Sequence, residues 1–171
     1  MTHPDDRVSP PAVGAEQAPA VRACLFSVSG ARLAVDVRSA REVALFDEMT
    51  PVPRAPRYLV GVANLRGTVV PIVDVAPLLG RSALRAPRSV RTLVLRDGPL
   101  LAAVAVEAVL GLEPFEAVLP PDTPDAPGDR VPHRFVTGWV SWVGETLPLL
   151  DVGRLLAELR TGSAGNARNA A

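Results

Sequence analysis

The sequence predicts an all-β protein with a few short helices, built as a pair of small barrels with a helix at the C-terminal end. Two observations carry this expectation. Short apolar runs with period-2 alternation recur along the chain, separated by Gly-, Pro- and Asp-containing turns. One pattern also occurs twice in register, 77 residues apart: Gly61, Gly67, Pro71, Asp74, Val75, Leu78 and Leu79 return as Gly138, Gly144, Pro148, Asp151, Val152, Leu155 and Leu156. Such a gapless match implies two copies of one structural unit.

Residues 1–21, with four prolines among small and charged residues, read as a disordered lead-in. Ala23 to Ser29 is an apolar strand ending at the Ser29-Gly30 turn, and Arg32 to Val37 is its return. Arg41 to Phe46 is a third strand. Thr50 to Pro56 holds three prolines and is an extended connector. The first repeat hairpin follows within 58–80. Its two runs break at Gly67, and Asp74 is placed to cap a brief helix, Val75 to Leu79, closed by Gly80.

After a polar link from Arg81 to Arg88, Val90 to Leu95 and Leu100 to Val106 form a hairpin around Asp97-Gly98. This pair echoes the Gly30 hairpin at an offset of about 68. Val109 to Leu112 is a candidate further strand, and Pro120 to Pro132, with five prolines, is an exposed loop. The second repeat hairpin lies within 135–157. Asp151 then caps a helix whose Val152, Leu155, Leu156 and Leu159 fall on one face. Residues 161–171 read as a flexible tail.

Composition excludes several functions. The 18 basic and 18 acidic residues cancel, and there is no platform of basic and aromatic residues, which argues against nucleic-acid binding. All basic residues are arginine, as a GC-rich genome would produce. One cysteine permits no internal disulfide and fits a cytosolic setting. No run approaches the length of a membrane-spanning helix, and residues 1–22 lack a secretory pattern. Cys24 reads as a small core residue. With His3 and His133 it makes no four-ligand metal site, and no nucleophile or phosphate-loop motif accompanies them. The expectation is therefore no enzyme, no metal and no cofactor.

The repeat singles out its own exception. Asn64-Leu65-Arg66 in the first hairpin is answered by Ser141-Trp142-Val143 in the second. A scaffold kept in both copies, with a polar tip in only one, is the pattern of function placed on a duplicated fold.

The segment Pro53-x-x-Pro56-x-Tyr58-x-x-Gly61-Val62-x-Asn64-Leu65-Arg66-Gly67-x-Val69-x-Pro71-Ile72-Val73-Asp74 resembles the signature of the CheW-like domain, the coupling module of bacterial chemotaxis arrays. The resemblance extends from about Ala23 to Leu159 and is to the stand-alone type, with one CheW-like domain over 22–160 made of two intertwined barrels. It implies two five-stranded SH3-like β-barrels packed side by side and no catalysis. It also implies binding to a chemoreceptor cytoplasmic tip in a groove between the barrels, and to the regulatory domain of a CheA-type histidine kinase. A cytoplasmic protein recruited to membrane receptor arrays follows from that, with a non-flagellar output such as surface motility as the alternative pathway.

The candidate partner-binding residues are Arg66, Asn64, Leu65, Glu42 and Trp142. Arg66 is the strongest, because its counterpart Val143 shows that the fold does not require it. Asn64 has an equal claim to bonding its own turn. Glu42 enters through the resemblance, against pairing with a neighbour such as Arg41. Trp142 is either core or a half-exposed contact, whereas Trp139 is core. Gly61 and Gly67 are structural glycines of the motif.

Overall fold

The computed structural model describes residues 21–84, 89–123 and 131–166. The expected lead-in falls outside them, apart from Val21, as do residues 124–130 of the proline-rich loop. Ten strands are described: β1 Val21–Val28, β2 Ala31–Asp36, β3 Ala40–Phe46, β4 Leu59–Leu65, β5 Thr68–Val73, β6 Val90–Asp97, β7 Leu100–Ala105, β8 Ala108–Phe115, β9 Val136–Trp142 and β10 Glu145–Leu150, followed by the helix α1 Val152–Asn166.

They form two five-stranded sheets, in the orders β8-β1-β2-β10-β9 and β3-β6-β7-β5-β4. The sequence repeat β1–β5 and its copy β6–β10 are therefore not the two barrels. Each barrel takes its first hairpin from one copy and its remaining three strands from the other. In each sheet the copies meet twice: by a long antiparallel pairing, β1 with β8 and β3 with β6, and by a short parallel contact, Leu149 and Leu150 on Ala34 and Val35 in one sheet, Ile72 and Val73 on Ala103 and Val104 in the other.

Hairpin turns follow the residues that can adopt them. Ser29-Gly30, Arg66-Gly67 and Val143-Gly144 carry positive φ at both positions, as a type I′ turn requires. The β6–β7 turn is Gly98-Pro99 rather than Asp97-Gly98, with Gly98 at positive φ and a proline where positive φ is impossible. That shift sets the true offset between the first hairpins at 69, not 68. The third strands share this offset. Both bulge at one residue, Arg41 in β3 and Leu110 in β8, and both end on a buried phenylalanine, Phe46 and Phe115.

Each sheet is closed onto itself by one backbone bridge. Thr50 exchanges hydrogen bonds with Val62 at 2.9 Å in both directions, and Leu119 with Trp139 at 2.8 and 2.9 Å. The repeat glycines permit that approach. A Cβ on Gly61 would lie 2.9 Å from the Thr50 carbonyl oxygen, and one on Gly138 only 2.6 Å from that of Leu119 and 2.5 Å from Val118 Cγ1.

Alternation along the strands fills three cores. Ala23 and Leu25 of β1 point into the β1 barrel with Phe115, Val140 and Leu147. Cys24, Phe26 and Val28 point the other way, into a central core shared with β6, β7, Trp139 and α1. Phe46, Val70, Ile72 and Val94 fill the β3 barrel.

Two helical expectations need correction. Asp74 is not the N-cap of a helix over 75–79. That turn is a 3₁₀ helix, Pro77–Leu79, with Pro77 at its start and Gly80 closing it at φ 72°. Asp74 is buried, and its two oxygens accept from the amides of Ala76 (2.9 Å) and Leu84 (2.7 Å), fixing the loop that follows. Asp151 does cap α1, accepting from the Arg154 amide at 2.9 Å. The helix continues past residue 161 to Asn166, where a tail was expected. Up to Gly162 the helix is held to the body by Tyr58, whose hydroxyl donates to the Leu159 carbonyl at 2.6 Å and whose ring lies against Gly162, and within the helix the Thr161 hydroxyl donates to the carbonyls of Ala157 and Glu158.

Gly138→Ala should cost about 1–3 kcal/mol in chemical denaturation, the usual range for overpacking against fixed backbone. Gly61→Ala should cost less, since its nearest atom is further away.

Candidate functional site

The five candidate residues do not form one patch. Glu42 and Arg66 are brought together, although 24 residues separate them in sequence. Glu42 lies on β3 and Arg66 at the β4–β5 tip, at the two edges of one sheet, and closure of the β3 barrel makes them neighbours. Arg66 Nη2 donates to Glu42 Oε2 at 2.8 Å, with the Arg66 side chain 80% exposed and Glu42 31%. Glu42 thus pairs with Arg66 and not with the adjacent Arg41.

The duplicate supplies an internal control. The residue corresponding to Glu42 in β8 is Gly111, identified by the shared bulge, and the residue corresponding to Arg66 is Val143. Both members of the ion pair are replaced in the β1 barrel, which folds without them.

Asn64 takes its local role: its Oδ1 accepts the Gly67 amide at 2.6 Å, holding the turn. Leu65 and Trp142 are half-buried equivalents, each packed on the small core of its own barrel. Trp142 is additionally covered by Arg32, whose guanidinium carbon lies 5.9 Å from the ring centre and whose Nη1 pairs with Glu145 Oε2 at 2.6 Å. Trp139 is buried, and its indole Nε1 donates to the Pro121 carbonyl at 3.1 Å.

Between the barrels, at the β2–β3 crossover, lies a cleft of about 670 Å³. Asp36 on its wall accepts from the Arg38 amide at 2.8 Å and from the Arg38 guanidinium at 2.6–3.0 Å. The hydrogen bonds from the Arg38 side chain hold the Asp36 carboxyl below its usual range, against the opposing effect of burial. The resemblance implied a groove between the barrels, but no residue of this cleft was among the candidates, because its lining is assembled from β1, β2, β3, β6, β9, β10 and α1. The Glu42–Arg66 contact was missed too, although the loss of both residues in the repeat is a signal for it.

Among the described residues no group of His, Cys, Asp and Glu could hold a metal ion, and no helix is long and apolar enough to cross a membrane. Cys24 is buried, and desolvation raises its thiol pKa, so it is a poor nucleophile.

Two outcomes follow from this geometry. Val143 combines positive φ with a β-branched side chain that is 87% exposed, so Val143→Asn should stabilise the protein by about 1 kcal/mol in thermal or chemical unfolding. Cys24 should resist iodoacetamide in the native protein and react only in denaturant; rapid native labelling would contradict its placement.

A family model described as the CheW-like domain matches residues 22–160. Protein FrzA of Myxococcus xanthus is 31% identical over 153 residues, covering 87% of this chain and 93% of that protein. The chemotaxis protein CheW of Klebsiella aerogenes is 23% identical, covering 78% of this chain and 80% of its own length. A crystal structure of the scaffolding protein TtCheW from Thermoanaerobacter tengcongensis aligns with a TM-score of 0.68 at 20% identity, over 79% of this chain and 91% of that one. With two closed five-stranded barrels, a duplicated hairpin and a family match across nearly all of the described chain, this protein belongs to the CheW-like domain family.

Proposed function

We propose that this protein is a non-catalytic adaptor, cytoplasmic and recruited to membrane receptor arrays, that couples a chemoreceptor cytoplasmic tip to a CheA-type histidine kinase. The observation that carries this reading is the Glu42–Arg66 pair: exposed, and absent from the duplicate that shares its fold. An exposed ion pair contributes only about 0–1 kcal/mol to stability, which gives the fold little use for it. An arginine at a protein interface, by contrast, is often among the residues that dominate affinity.

The mechanism is geometric. The central core joins both barrels and α1 into one packed body. Partners held on different parts of that body keep a fixed relative orientation, so a change at the receptor contact alters how the kinase regulatory domain is presented. Coupling of this kind requires that the two receptor states differ in contact free energy with the adaptor.

A second reading keeps the adaptor role and changes the pathway. FrzA, which matches most of the chain, does not carry a chemotaxis name. This favours a chemosensory system with a non-flagellar output, such as surface motility.

The test is a titration of wild type and Arg66→Ala against a receptor cytoplasmic fragment and a kinase regulatory domain from the same organism. Wild type should bind both. The variant should bind at least one about 30-fold more weakly, as loss of an interface hot spot implies, with its unfolding free energy within about 1 kcal/mol of wild type. Unchanged affinity for both partners, or an unfolded variant, would remove Arg66 from the interface.

A further inference from the structure

The end of α1 and the root of the β4–β5 hairpin meet at Tyr58, and the repeat shows what is particular about that meeting. Tyr58 corresponds to Phe135, because each carbonyl accepts the amide of a repeat aspartate, Asp74 at 2.7 Å and Asp151 at 2.8 Å. The ring therefore belongs to the duplicated scaffold, and Phe135 fills its buried place without a hydroxyl. The Tyr58 hydroxyl exists in one copy only, and it donates to the Leu159 carbonyl of α1 at 2.6 Å. The long helix also exists in one copy only. Its counterpart is the single 3₁₀ turn Pro77–Leu79, which Gly80 ends.

Beyond Leu159 the helix is weakly built. Val152, Leu155, Leu156 and Leu159 anchor its first half in the central core. The rest runs Arg160-Thr161-Gly162-Ser163-Ala164-Gly165-Asn166, with two glycines among other poor helix formers. The Thr161 hydroxyl turns back onto the Ala157 and Glu158 carbonyls, an arrangement that slightly destabilises a helix. Between this end and the sheet lies a cavity of about 300 Å³, lined by Leu59, Pro71, Leu101, Leu156 and Leu159 beside Tyr58. Across it the helix forfeits packing contacts, so the hydrogen bond from Tyr58 carries more of the hold.

Tyr58 also stands at the root of the strand that leads to Arg66. It directly precedes β4, which bulges at Val60, and a bulge re-aims the strand that carries it. Tyr58 anchors that root twice, through its carbonyl to Asp74 and through its hydroxyl to α1.

Resting on the coupling reading above, in which Arg66 meets a partner, we propose that Tyr58 is a positioning residue for the Arg66 tip and that the end of α1 is the strap it latches. With the strap closed, the root of β4 is held where Arg66 and Glu42 meet. With it lifted, the hairpin leaves that orientation. The partner that grips Arg66 binds the closed form better, and by linkage its binding closes the strap.

The test uses the full chain and whichever fragment, receptor tip or kinase regulatory domain, loses affinity on Arg66→Ala. Tyr58→Phe is the variant, and Phe135 shows that the scaffold accepts phenylalanine. Loss of one hydrogen bond should shift a near-even strap equilibrium about tenfold. That divides into about threefold weaker binding and about threefold faster amide exchange over residues 160–166 and the 64–68 tip, with β1, β2 and β10 unchanged. In an Arg66→Ala background Tyr58→Phe should have no further effect on binding. Thr161→Ala, which removes the back-bonding hydroxyl, should slow exchange at the helix end and restore part of the affinity lost by Tyr58→Phe.

If Arg66→Ala weakens binding and Tyr58→Phe does not, the positioning role fails while the coupling reading stands. Equal losses with and without Arg66, or exchange that rises throughout the chain, would make the hydroxyl a general stability contact and overturn the inference. If neither fragment responds to Arg66→Ala, the coupling role of Arg66 and this inference fall together.

Discussion

Strand pairing between the two halves of the sequence holds the architecture together. Where β10 meets β2 and β5 meets β7, only two residue pairs register on each side, and the long antiparallel pairings of β1 with β8 and β3 with β6 complete the joining of one half to the other within each sheet. Four of the eight strand pairs thus cross between the halves, and the other four are hairpins within one half. The central core then forms because both barrels turn a face of alternate residues toward the same interior, with α1 laid across it. Burial there, from Phe26, Leu93, Leu95, Trp139 and Leu155, makes the two barrels one body rather than two beads.

Much of this was legible in the residues. The ten strands follow from alternation and turn chemistry, and Gly30, Gly67 and Gly144 sit where positive φ is needed. The crossing of the halves was not legible strand by strand, because the duplicated segments look alike and either assignment satisfies their local pattern. Hydrophobic alternation tells a strand which face to bury but not which neighbour to take. The turn at Asp74 was misjudged for a local reason: Pro77 shortens the helical turn, and the carboxylate serves two amides, one of them ten residues away. Residues 161–171 read as a tail from their small, Gly-, Asn- and Ala-rich composition, whereas the helix runs on to Asn166 and Gly162 is the small residue that Tyr58 packs against.

At the candidate site the sequence named residues and missed the contact between two of them. Arg66 and Glu42 were each chosen separately, and only closure of the barrel turns them into a pair. Asn64 and Leu65, chosen with them, are explained by the turn and the core. The duplication is a comparison that few single sequences offer, since one copy reports what the fold tolerates where the other carries charge. By that measure Glu42 and Arg66 are dispensable to the architecture, and Asp74 and Gly61 are not.

The crossing has a consequence for how the molecule is made. On the ribosome the first five strands emerge complete, yet β2 and β5 have no partner to close against until the second half follows; Ala34 must wait for Leu149 and Leu150. The β3 barrel can close once β7 has emerged at Ala105, whereas β1 and β2, the first strands made, wait for β8, β9 and β10, so the usual order in which the most N-terminal strands settle first is reversed. The nascent chain carries open β edges for most of its synthesis, and the last element to appear, α1, covers the shared interior only after both barrels exist.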